Sequence, residues 1–170
     1  MTDRFRQLLA ATTGLTFGLI LLGVYTGAIG AGLTCGARWP LCDGWMGLFP
    51  ANWASFVEWF HRLVAMITGF AILGSTVAAW RGDYSSRIRY ATGVATVVLP
   101  VQILLGANTI INFGAAAQVL HHAAALTILT AMVAATAWSF EPSATATTHA
   151  AETPADSAAD GSGDPDPSSD

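Results

Sequence analysis

Four long apolar runs, a shortage of charge and an uneven placement of arginine predict an all-α membrane protein, a bundle of four transmembrane helices. Of the 170 residues, 53% are apolar and 11% are charged, against roughly 25% charged in an average soluble domain. The runs cover 8–33, 56–80, 90–111 and 118–140. A bilayer-spanning helix needs about 20 mostly apolar residues, and each run meets that length. Four buried helices of a soluble protein are the competing reading, but the runs lack the polar faces such helices require.

The first run, "LLAATTGLTFGLILLGVYTGAIGAGL", is too long for the core of a cleaved signal peptide and ends without a clear small-residue cleavage site. Gly14 and Gly18, then Gly23 and Gly27, recur at four-residue spacing and predict close helix packing through small residues. The second run carries Gly69 and Gly74, and Glu58, His61 and Arg62 near its start. The third carries Gly93, Gly106 and Pro100, whose ring removes a backbone bond and kinks a helix. Gln102 is polar at membrane depth; satisfying a carbonyl freed by that proline is the first expectation, and facing a ligand the second. The fourth run is largely alanine and opens on His121 and His122.

Orientation follows from the basic residues, all seven of which are arginine. Arg4 and Arg6 precede the first run, and Arg81, Arg87 and Arg89 lie between the second and third. Positive residues stay on the cytoplasmic side. Both termini are therefore expected inside, with the loop 34–55 and the short loop 112–117 outside a cell membrane; Arg38 is the exception. The four-helix domain is expected over 1–140. From Glu141 onward the chain holds seven of the eleven acidic residues and is rich in Ala, Ser, Thr and Pro. Such a segment cannot bury a core, so 141–170 is expected to be a disordered acidic tail on the cytoplasmic side, and His149 within it carries no signal. The acidic tail and the absence of lysine suggest a salt-loving host. A net charge of −4 offers no basic footprint, which argues against a nucleic-acid partner.

Ionisable groups inside a spanning helix are costly and usually functional. Glu58 and His61 are three residues apart and share a helix face. The second and fourth helices both run from outside to inside, so His61 and the pair His121/His122 fall at one depth on one side. Two facing histidines and an apolar slot suit a haem. Zinc or di-iron would want three or four clustered ligands, and the one nearby carboxylate is Glu58. Histidines that reach headgroup water are the plain alternative. Arg62 could meet a haem propionate, or snorkel to lipid phosphate. His121 and His122 point about 100° apart, so both cannot face one slot.

"CGARWPLCDG", then "EWFHR", "QILLGA" and "VLHHAAAL" together resemble haem A synthase over about residues 10 to 140. That family oxidises the C8 methyl of haem O to a formyl group, giving haem A for terminal oxidases. The resemblance implies Glu58 beside the substrate haem, His61 and a helix 4 histidine as axial ligands of the iron, and a Cys35–Cys42 disulfide in the outer loop. The "VLH" alignment favours His121, with His122 left open. Trp39 and Pro40 are then expected to pack in a lid stiffened by that bridge. Most family members have eight helices in two similar halves, one for the substrate haem and one for a haem b. This chain looks like the first half, a short form similar to those of archaea. The resemblance therefore implies a homo-oligomer or a borrowed partner, an electron acceptor, and a functional link to haem O synthase. Two other classes fit parts of the pattern: a bis-histidine electron-transfer cytochrome, and a membrane thiol–disulfide oxidoreductase. The second normally needs two cysteine pairs, and one is present.

Overall fold

The computed structural model describes residues 2–36, 38, 41, 42, 44, 46, 50–112 and 114–141. Trp39, Pro40, His149 and the tail beyond Glu141 lie outside these residues, and so do the expectations attached to them. The four predicted helices are present: α1 Asp3–Ala28, α2 Trp53–Arg81, α3 Ser86–Ile111 and α4 Ala115–Ser139. Each is long and apolar enough to cross a membrane. Among the described residues there is no strand.

The boundaries shift for identifiable reasons. Helix α1 takes in the polar residues from Asp3, which the apolar run omitted, and stops at Ala28. Gly30 then adopts a left-handed φ of 68°, a conformation that costs other residues a steric penalty, and a 3-10 turn follows at Ala31–Leu33. The Asn52 side chain accepts the Ser55 N–H at 3.0 Å and caps the start of α2. Helix α3 continues through Pro100.

Helix α1 packs on α2 and α4, and α3 packs on α2 and α4. The bundle is therefore a square of antiparallel neighbours, with α2 facing α4 across one diagonal. Every helix turns a stripe of three- and four-residue steps to the axis, the period of left-handed bundle packing. The stripes are 5, 9, 12, 16, 19, 23, 26 on α1 and 58, 61, 65, 68, 72, 75, 79 on α2. They are 88, 92, 95, 99, 102, 106, 109 on α3 and 118, 121, 125, 128, 132, 135, 139 on α4.

Burial along these stripes is lopsided. At the arginine-bearing end Phe5, Leu9, Ile72, Ala79, Ile88, Ala95, Ile128, Met132 and Ala135 form a closed core. Hydroxyls tie that core across helices: Thr12 to Ser75 at 3.1 Å, Thr13 to Thr136 at 2.8 Å and Thr76 to Thr96 at 2.8 Å. Arg6 Nε donates to the Ser139 carbonyl at 2.7 Å, closing the same end. Toward the other end the same stripes carry Leu19, Gly23, Ala65, Leu99, Gly106 and Ala125, all only half-buried. The expected glycine seams are mostly absent. A Cβ at Gly14, Gly18, Gly27, Gly74 or Gly93 would meet nothing within 4 Å among the described residues, because these glycines sit off the contact lines. Hydroxyl pairs and alanines make the close contacts instead.

Candidate haem-binding site

Glu58, His61 and His121 all lie on inward stripes, at the open end of the bundle. His61 is eight residues into α2 and His121 six into α4. At about 1.5 Å of rise per residue the two are level to within ~3 Å. They belong to the diagonal pair of helices, so the space at the bundle axis lies between them.

Each ring rests on a glycine of a neighbouring helix. A Cβ on Gly23 of α1 would stand 3.1 Å from His61 Nε2, and one on Gly106 of α3 would stand 3.1 Å from His121 Cε1. Any larger residue would push the rings toward the axis. These two glycines are thus site residues that a reading of small-residue spacing assigned to general packing. What distinguishes them is that they alone continue the buried stripes of α1 and α3 to the level of the histidines.

His122 is one position off the stripe, and its Nδ1–H donates to the Gln118 carbonyl of its own helix at 2.7 Å. His121 is the histidine turned inward. Gln102 Nε2 lies 3.3 Å from His121 Nε2. The expectation that Gln102 satisfies a carbonyl freed by Pro100 is therefore corrected: its stripe position points it across to α4 instead. Among the described residues, Gln102 Oε1 and His121 Nδ1 are buried without a hydrogen-bond partner.

Above the histidines sits a polar clamp. Glu58 is 5% exposed. Its Oε1 accepts the Arg62 Nε–H at 2.8 Å, an i,i+4 ion pair with both side chains largely buried. Arg62 Nη1 donates to the carbonyls of Arg38 at 3.0 Å and Leu41 at 2.7 Å. Both carbonyls belong to the loop closed by the Cys35–Cys42 disulfide, whose two residues are buried. Arg62 is thus spoken for by Glu58 and the loop, where the sequence suggested a propionate or lipid phosphate. The loop and its bridge were expected from the sequence; the approach of its carbonyls to Arg62 was not, since that depends on the loop lying back over α2. The other carboxylate oxygen, Oε2, faces Gly32 of the 3-10 turn, 4.0 Å from where a Cβ would stand.

These features fit a haem. The site offers imidazoles on opposing helices, a glycine beside each ring, and, among the described residues, buried polar atoms without partners. Among the described residues, no three His, Cys, Asp or Glu gather as a metal-ion site.

No family model matches the chain. Several curated proteins do. Protoheme IX farnesyltransferase of Halobacterium salinarum is 36% identical over 140 residues, 81% of this chain and 30% of that protein. Heme A synthase of Alkalihalophilus pseudofirmus is 34% identical over 128 residues, 72% of this chain and 42% of that protein. Heme A synthase of Bacillus licheniformis is 30% identical over 122 residues, 71% of this chain and 39% of that protein. The chain thus spans roughly a third of the length of the curated relatives it matches.

Proposed function

The chain belongs to the haem A synthase family, and from that premise we propose that it takes part in oxidising the C8 methyl of haem O to a formyl group. The observation that carries the reading is the half-buried end of the bundle, where two inward histidines on diagonal helices stand level, each against a glycine of a neighbouring helix. In this reading His61 and His121 hold the substrate haem by its iron, and His122 stays on the surface of α4. Converting a methyl to a formyl group with oxygen from water releases four electrons and four protons. An electron acceptor is therefore required, and a single disulfide cannot take all four.

Glu58 is the catalytic residue of this proposal. Arg62 holds its carboxylate in place through Oε1, with Oε2 beside Gly32. A held carboxylate there accepts a proton from the reacting methyl, or stabilises the positive charge that grows as electrons leave. Burial under the loop strengthens either effect by excluding water. The Cys35–Cys42 bridge acts through this clamp, as a structural clip.

Two partners follow from the same premise. Haem O synthase makes the substrate, and a segment like this chain forms part of a halobacterial protein named for farnesyl transfer to protohaem; direct handover between the two units is the economical arrangement. Self-association would assemble two four-helix units, as in the eight-helix members. The unit sits in the cell membrane with the disulfide end outside.

The test is pigment analysis. Expressed with a haem O synthase, the wild-type chain yields haem A by chromatography of extracted pigments. Glu58→Gln retains bound haem and lowers conversion by about 10²-fold or more, the usual contribution of a positioned proton acceptor. Full conversion by Glu58→Gln removes the catalytic assignment. Haem bound but never converted by the wild type would favour an electron-transfer cytochrome.

A further inference from the structure

We propose that Gln102 is a built-in competitor for the iron-binding nitrogen of His121, and that it keeps the haem exchangeable. The inference rests on reading His121 as an axial ligand. It starts from the two faces of the imidazole. The Cε1–Nδ1 edge lies against α3, where a Cβ on Gly106 would be 3.1 Å from Cε1 and 3.6 Å from Nδ1. Nδ1 is buried and has no partner among the described residues. Nε2 is farther from that Cβ, at 4.0 Å; with iron at Nε2, the ligand atom is the one that Gln102 holds at 3.3 Å. One ring nitrogen cannot bond both. Binding a haem at Nε2 displaces Gln102.

The state of the amide explains why this lowers affinity. Gln102 is on the inward stripe of α3 with its Oε1 already buried and unpartnered among the described residues. Its only hydrogen bond among those residues is the one to His121. When iron takes Nε2, the amide loses that acceptor as well, and a buried amide with nothing to bond is costly. The haem-free site is stabilised by the contact and the loaded site is burdened by its loss. Both effects favour release. A resident cofactor would be poorly served by such a side chain, whereas a substrate or product that must leave after each turnover requires it. The site is thus fitted to a porphyrin in transit.

The proposal predicts a sign opposite to ordinary damage. Full-length wild type and Gln102→Leu are loaded with ferric protohaem, and transfer to excess apomyoglobin is followed by absorbance. Gln102→Leu removes the competitor and should release haem about 3- to 10-fold more slowly, the equivalent of one net hydrogen bond. A variant that merely disturbed the helix packing would release it faster. Release at the wild-type rate or faster overturns the proposal. Gln102→Met, unbranched and of similar length, is used in the same assay if the leucine variant does not fold. His121→Ala is the companion measurement. If it leaves the low-spin spectrum of bound protohaem intact, the axial assignment falls and this inference with it. If it abolishes that spectrum while Gln102→Leu does not slow release, the competitor role alone is wrong.

Discussion

At the scale of single residues, the site depends on two missing side chains as much as on those present. Gly23 and Gly106 give the imidazoles of His61 and His121 a place to lie. A glycine within a helix normally costs about 0.5–1 kcal/mol against alanine, so something else favours it here. Gly106→Ala tests this. It should unfold in detergent at a somewhat lower temperature than wild type, because overpacking of about 1–3 kcal/mol against the His121 ring outweighs the helix gain. It should also bind protohaem roughly tenfold more weakly per folded molecule, since the displaced ring is the proposed ligand. Haem affinity at the wild-type level would count against the cradle. Arg62 teaches a related lesson. Its charge made it a candidate for an anionic group on the ligand, yet its donors go to Glu58 and to two loop carbonyls. Two of its nitrogens, Nε and Nη1, are taken, and only the folded loop brings the carbonyls of Arg38 and Leu41 within reach of Nη1.

At the scale of the helix, each stripe is one continuous pattern with two uses. On α2 it runs from Glu58 and His61 through Ala65 to Thr68, Ile72, Ser75 and Ala79. The lower members close against neighbours, and the upper ones leave room. Substitutions on the two halves should therefore act in opposite ways. Ile72→Ala opens a cavity in the closed core and should lower stability by about 2–5 kcal/mol, read by denaturant unfolding in micelles, with haem affinity per folded molecule nearly unchanged. Ala65→Leu projects into the slot and should abolish protohaem binding while leaving unfolding near wild type. If Ala65→Leu binds haem normally, the slot does not lie where the stripes converge. Threonine and serine also serve two ends within a helix. Thr12 bonds the Leu8 carbonyl of its own helix and approaches Ser75 across the interface. Such hydroxyls hold neighbouring helices together where lipid removes the hydrophobic drive between them.

At the scale of the whole molecule, the division between a sealed end and an open end organises everything else. Five of the seven arginines, Arg4, Arg6, Arg81, Arg87 and Arg89, gather at the sealed end, and the disulfide loop lies at the other, where Arg62 holds it. The positive-inside rule then sets the expected orientation. A membrane-impermeant reporter at the exposed Asn52 should be modified from outside intact cells, and one at the exposed Asp83 only after the membrane is broken; the reverse pattern would place the site on the cytoplasmic side. How much of this was legible beforehand differs by level. Length, hydropathy and arginine placement were enough for four spanning helices, because a bilayer demands apolar length and sets basic residues on one side. The spacing of Glu58 and His61, and the shared depth of His61 and His121, were also readable, since helical rise and antiparallel topology are geometric. Helical period alone left His121 and His122 open, and only the family resemblance favoured His121; the distinction of Gly23 and Gly106 from the other glycines, the reach of Gln102 to His121 and the contact of Arg62 with the loop were not legible. Each depends on the rotation of one helix about its axis relative to another, or on a loop folding back. Composition and period do not encode that rotation; it is decided when four stripes pack together, and it is there that two histidines came to lie against two glycines.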